Sequence, residues 1–186
     1  MNTSHRSRRL ALAAAVALAA CGGAPRYVHP GLDAGTLKRV AVLPFENLTA
    51  DRAVGEKAQR LLVLELLAQG GFEVVEGGAV LRVLGVNKIE NPSALTPDDL
   101  KKLGKVLEAD GLFFGSVLDF TDGRGGASAG ATIQLRLADV GSGRTVWSTR
   151  ATRGGTSLSQ RLFGVGESSS TEVLAGVIHD AIGALP

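Results

Sequence analysis

Cysteine is almost absent from this chain: among 186 residues there is one, Cys21, beside three histidines. A lone thiol excludes an internal disulfide framework, and so few histidines exclude zinc sites built on paired Cys or Cys/His spacing. Aromatic residues make up only 4% and charged residues 20%, against 45% hydrophobic residues and 25 glycines. That is the make-up of one ordinary globular domain with an added tail. Long apolar runs are missing too. Leu10–Ala20 is eleven consecutive Ala, Leu and Val residues, about 16 Å of helix against a bilayer core of about 30 Å, too short to span it. Nor is there a lasting excess of charge. The formal net charge is +2, but Arg6, Arg8 and Arg9 carry it: without residues 1–20 the chain has 17 basic against 18 acidic residues. The clustered basic face that nucleic acid requires is not there.

What is there begins with an address. A polar segment bearing three arginines, followed by the short apolar run, fits a secretory signal peptide. Ser7-Arg8-Arg9 resembles the start of a twin-arginine signal, but Ala11-Leu12-Ala13 does not continue it, so general secretion is expected. Leu18-Ala19-Ala20-Cys21 resembles the lipobox of bacterial lipoproteins. The resemblance implies a diacylglyceryl thioether on Cys21, cleavage after Ala20 and an acylated new amino terminus. Gly22 follows where an aspartate would favour inner-membrane retention, so the expectation is the outer membrane, with the domain facing the periplasm. Residues 21–36 read as the lipidated cysteine and a flexible tether, because Gly22, Gly23, Pro25, Pro30, Gly31 and Gly35 interrupt any periodicity. The fourteen residues from Gly22 to Gly35 would reach about 45 Å at full extension.

Residues 37–186 read as a single α/β domain with a mixed parallel and antiparallel sheet, in two or three layers, in the order β-α-β-α-α-β-β-β-α. Val40-Ala41-Val42-Leu43 is a continuous apolar run and predicts a strand buried on both faces. Thr49 or Asp51 caps an expected helix over 52–69, ended by Gly70-Gly71. Its second half, Leu61 to Leu67, is apolar nearly all round and predicts burial on several sides. The C-terminal helix is its expected cover. Phe72 to Val75 is a strand and Ala79 to Leu84 a short helix. Thr96, Pro97, Asp98 and Asp99 open a helix over 95–110. Gly111 to Phe120 is the most hydrophobic strand. Ile133, Leu135 and Leu137 alternate with Thr132, Gln134 and Arg136, the period of a strand with one buried face, and Gly141-Ser142-Gly143 turns it into a hairpin with 145–153. Val173, Leu174, Val177, Ile178, Ala181 and Ile182 make the final amphipathic helix.

Residues that could carry chemistry have simpler explanations. His29 lies in the tether, and His179 sits off the apolar stripe at a helix end, as a surface cation would. Asp119 and Asp122 flank a Gly-rich turn that such residues commonly form. Gly123-Arg124-Gly125-Gly126 leads into a strand and lacks Gly-Lys-Ser/Thr, so no helix N-terminus waits there for phosphate. Ser168-Ser169-Ser170 reads as a helix cap, with no Gly-x-Ser-x-Gly elbow. The chain is therefore expected to be no enzyme, with no catalytic residue, no metal and no cofactor other than the covalent lipid at Cys21.

Val40 to Asn47, Leu103 to Gly111 running into Gly115-Ser116-Val117, and Leu135 to Val140 leading through Gly143 to Val146-Trp147-Ser148 resemble, in that order, a superfamily of bacterial envelope proteins. It includes the curli secretion lipoprotein CsgG, the penicillin-binding-protein activator LpoB and the amino-terminal domain of TolB. The resemblance implies a lipid-anchored module that binds protein partners in envelope assembly or regulation, closest in architecture to the activators of peptidoglycan synthesis. The alternative it implies is an oligomeric secretion component of the outer membrane. Against a pore stands the ten-residue connection Thr121 to Gly130, too short and too polar to add membrane-spanning strands. The loops at Val86 to Pro92 and Asp122 to Gly130 are the candidate partner surfaces.

Overall fold

The computed structural model describes residues 25–124, 128–154 and 169–186. The expected signal segment 1–20, Cys21, the start of the expected tether, Gly125-Gly126 and Ser168 lie outside the described residues. Seven strands form one sheet: β1 (Arg26–Val28), β2 (Arg39–Val42), β3 (Glu46–Asn47), β4 (Glu73–Val74), β5 (Gly111–Thr121), β6 (Gly130–Asp139) and β7 (Arg144–Gly154). Among the described residues the α-helices are α1 (Val54–Gln69), α2 (Gly77–Val86), α3 (Pro97–Val106) and α4 (Ser170–Ile182). The sheet runs β1-β7-β6-β5-β2-β4, with β3 also on β5. Pairing is parallel among β4, β2, β5 and β3 and antiparallel from β5 through β6 and β7 to β1. The expected mixed sheet and element order are present, with β1 and β3 as additions.

The alternation of side chains decides the layering. Along β2 and β5, Val40, Val42, Phe113 and Val117 face α1 and α4, while Ala41, Leu43, Leu112 and Phe114 face α2 and α3. That half of the sheet is the middle of three layers. On β6, Ile133, Leu135 and Leu137 join the α1/α4 core, but Thr132, Gln134 and Arg136 on the opposite face are half-buried, and among the described residues no helix packs over them. The described part of the domain is thus three layers at one end and two at the other, in keeping with its continuous and alternating strands.

Several local expectations shift. The tether ends early, because Arg26, Tyr27 and Val28 pair with Thr149, Ser148 and Trp147. Helix α1 starts at Val54 with no side-chain cap. The Thr49 hydroxyl donates to Asn47 Oδ1 at 2.8 Å, and Asp51 Oδ1 accepts the N–H of Ala53 at 2.8 Å, so both serve the turn ahead of the helix. Gly70 ends α1 at φ 70°, as expected of a left-handed cap. A register shift at Leu118 moves β5 by one residue against β6, so that Phe120 rather than Asp119 follows Val117 into the core. In α3, Thr96 Oγ1 accepts the Asp99 N–H at 3.3 Å and Pro97 opens the helix. The Thr96 hydroxyl also donates to Asp99 Oδ2 at 2.6 Å and holds that carboxyl below its ordinary pKa.

Gly104 of α3 marks the tightest helix-to-sheet approach on the α2/α3 side. A Cβ placed there would lie 2.2 Å from Val140 Cγ2. Gly104→Ala is therefore expected to destabilise the fold by about 1–3 kcal/mol through overpacking, despite alanine's better helix propensity. Urea unfolding of the two proteins measures it, and an unchanged midpoint would show that Val140 moves aside freely.

Candidate interaction surfaces

Helix α1 puts Val54, Ala58, Leu62 and Leu66 into the core at a spacing of four residues, with Gly55 between. Helix α4 lies alongside, its Val173, Leu174, Val177, Ile178, Ala181 and Ile182 in the same cluster. The C-terminal helix thus covers one side of α1, as expected. It does not cover the other: Leu64 is 61% and Leu67 54% exposed. At 100° per residue these two point together, away from the buried stripe, and share their face with Arg60, which is ion-paired to Glu56. The apolar run of the sequence is real, but fold packing accounts for four of its six residues, Leu61, Leu62, Val63 and Leu66.

A second exposed apolar region lies where α2 ends and α3 passes. Val86 and Val106 are exposed, and a groove of about 270 Å³ between them is lined by Asn87, Ile89, Leu95, Asp99, Lys102 and Leu103. This includes the expected Val86 to Pro92 loop, although Pro92 itself is buried and Ile89 half-buried against the α2/α3 core. At the other expected loop, Arg124 Nε pairs with Asp122 Oδ2 at 3.2 Å and the Arg124 N–H reaches Asp122 Oδ1. Asp122 is turn chemistry, and Asp119 faces Thr132 across the sheet.

The histidines are equally local. His29 Nδ1 accepts the N–H of Gly31 at 3.0 Å, and His179 Nδ1 lies 2.9 Å from Glu65 Oε1, tying α4 to α1. Ser169 caps α4 in a reciprocal box with Glu172, as the serine run predicts. Among the described residues no cluster of three or more His, Cys, Asp or Glu could hold a metal, and no helix is long and apolar enough to cross a membrane.

The residue that sequence reasoning did not single out is Arg136, on the polar face of β6. Arg136 stacks on the Phe114 ring at 3.9 Å and donates to Thr145 Oγ1 at 3.3 Å, and burial lowers its pKa from the ordinary guanidinium value. No carboxylate among the described residues pairs with it, nor with Arg150 on the neighbouring strand. The alternation Thr-Ile-Gln-Leu-Arg announced a strand with one buried face, but not the contact of Arg136 with Phe114 on the neighbouring strand.

Residues 34–179 match the family model described as curli production assembly/transport component CsgG. Three solved structures are similar. A dodecamer of a PelC variant from Paraburkholderia phytofirmans is 21% identical over 86% of this chain and 95% of that one, with a TM-score of 0.58. Lipoprotein GNA1162 from Neisseria meningitidis is 19% identical over 68% and 90%, with a TM-score of 0.53. The LpoB C-terminal domain from Escherichia coli is 18% identical over 66% and 87%, with a TM-score of 0.50. No sequence match to a curated protein is found.

Proposed function

The chain belongs to the curli production assembly/transport component CsgG family, and from that premise we propose that it is a protein-binding module of the bacterial envelope, anchored by lipid on Cys21. In this reading it sits at the outer membrane, faces the periplasm and performs no chemistry of its own. The observation that carries it is the Leu64/Leu67 face of α1. Two leucines held in water after the fold is complete are surface that another chain can bury, each contributing up to about 1.5–3 kcal/mol when fully covered.

The finer reading is activation of peptidoglycan synthesis by a penicillin-binding protein, by analogy with the LpoB domain whose fold this chain shares. The second reading is self-assembly as a secretion component. It is favoured by the same α1 face and by the dodecameric state of the PelC relative.

The activator reading expects the lipid-anchored chain to run as a monomer in detergent and to crosslink to a penicillin-binding protein in intact envelopes. A stable ring, or envelopes in which that partner is never captured, would remove it in favour of self-assembly. Leu64→Glu with Leu67→Glu is expected to lower partner capture, or ring formation, by tenfold or more. Both side chains already face solvent, so circular dichroism and the unfolding midpoint should stay put. Full capture by the double variant would show that the contact surface lies elsewhere.

A further inference from the structure

The sheet edge carrying β1 has a charge and a position that belong together. Pro25 is already fixed to β7: its carbonyl accepts the Arg150 N–H at 3.2 Å and lies 3.5 Å from the Thr149 hydroxyl. Only three residues separate Pro25 from Cys21, so four Cα–Cα steps reach about 14 Å when extended. A lipid on Cys21 therefore holds this edge against the membrane surface, not the tens of ångströms away that a fourteen-residue tether would allow.

The edge is built for such a neighbour. A shallow cleft of about 410 Å³ is lined by Pro25, Arg26, Tyr27, Gln134, Ser148 and Arg150, among others, and no carboxylate contributes to it. Tyr27 is 47% exposed and is paired across from Ser148. Arg150 is exposed without an acidic partner among the described residues, and Arg136 lies one strand over, opposite Ser148. Arg26 directs one N–H to the Ala184 carbonyl. Tyrosine and arginine side chains suit the headgroup layer, where a ring can lie among the acyl chain ends and a guanidinium can meet phosphate.

We propose that the β1 edge, through Tyr27 and Arg150, docks on the anionic phospholipid headgroups of the membrane that holds the anchor. This rests on the lipid-anchor reading of Cys21, and it fixes an orientation: the β1 edge down, with α2, α3 and the β4 edge at the far end of the sheet.

Tyr27 is the single tyrosine of the chain, so tyrosine nitration by an aqueous reagent reads this one position. The processed, lipidated protein is reconstituted on phosphatidylcholine vesicles with or without phosphatidylglycerol, and flotation is scored alongside nitration. Docking expects nitration of Tyr27 to slow at least fivefold on the anionic vesicles, with the protection lost in high salt. Arg150→Gln should remove about fivefold of that protection, the scale of one basic residue at an anionic surface. Equal nitration on both vesicle types, with the protein floating on each, overturns the docking and leaves the anchor standing. A protein that does not float overturns the anchor and the docking with it. Protection by soluble poly-glutamate on neutral vesicles, with none from phosphatidylglycerol, would assign the face to an acidic protein segment and overturn the lipid assignment.

Discussion

Trp147→Ala is expected to destabilise the domain by about 3–5 kcal/mol, a large share of the roughly 5–15 kcal/mol that holds a typical domain together. Trp147 is the only tryptophan of the chain and is completely buried. Its ring meets Phe113 edge-on at 6.4 Å, and Phe113 meets Phe72 the same way at 6.0 Å, so one aromatic chain runs from β7 through β5 to the start of β4. The indole also reaches past the end of α4: its Nε1–H donates to the Ala184 carbonyl at 3.2 Å. The alanine variant would leave a cavity where β5, β7 and the α4 end converge, and would free an acceptor that Arg26 then satisfies alone. Trp147→Phe separates the two effects. It keeps most of the volume and loses the N–H, so its cost should fall to about 1–2 kcal/mol. Far-ultraviolet circular dichroism in urea measures both variants, since the fluorescent probe is removed with the residue. Equal losses for Ala and Phe would mean that the hydrogen bond, not the packing, is what Trp147 supplies.

The strands of this domain were legible wherever one strand's own pattern determined its environment. Val40 to Leu43 and Gly111 to Gly115 carry no polar side chain, and both lie in the part of the sheet with helices on each side. Thr132 to Leu137 alternates, and its polar row faces no helix among the described residues. The caps Thr96 and Ser169 were legible because a side chain and an amide three residues apart suffice to make them. Elements that depend on distant partners were not. Arg26-Tyr27-Val28 is a three-residue stretch with no period of its own, and becomes a strand only because β7 offers a free edge 121 residues later. The shift at Leu118 belongs to the pairing of two strands, and neither strand shows it alone. The surfaces divide in the same way. Leu64 and Leu67 could be recognised as surplus to one helix face, but which side α4 would cover is a matter of packing. The stacking of Arg136 on Phe114 depends on the register of β6 against β5, which neither strand shows alone.

Cys21→Ser is expected to abolish lipid labelling and to move the protein from the membrane to the soluble fraction, a change of all or nothing rather than of degree. Each buried methylene contributes about 0.8 kcal/mol, so a single acyl chain holds a protein only reversibly while two or three hold it for good. A serine hydroxyl cannot take the place of the thiol in forming the thioether, and so the variant receives none of them. The folded domain should not notice. The substitution exchanges one sulfur for oxygen at a position four residues ahead of Pro25, so the urea midpoint of the variant should match that of the parent. The short reach from Cys21 to Pro25 makes the outcome sharper. If Tyr27 and Arg150 dock on headgroups only because the anchor holds them there, their contribution is a local one at high effective concentration, and it disappears with the lipid. Membrane retention that survives Cys21→Ser would refute the anchor. Retention that survives but vanishes in high salt would identify the basic β1 edge as the attachment itself.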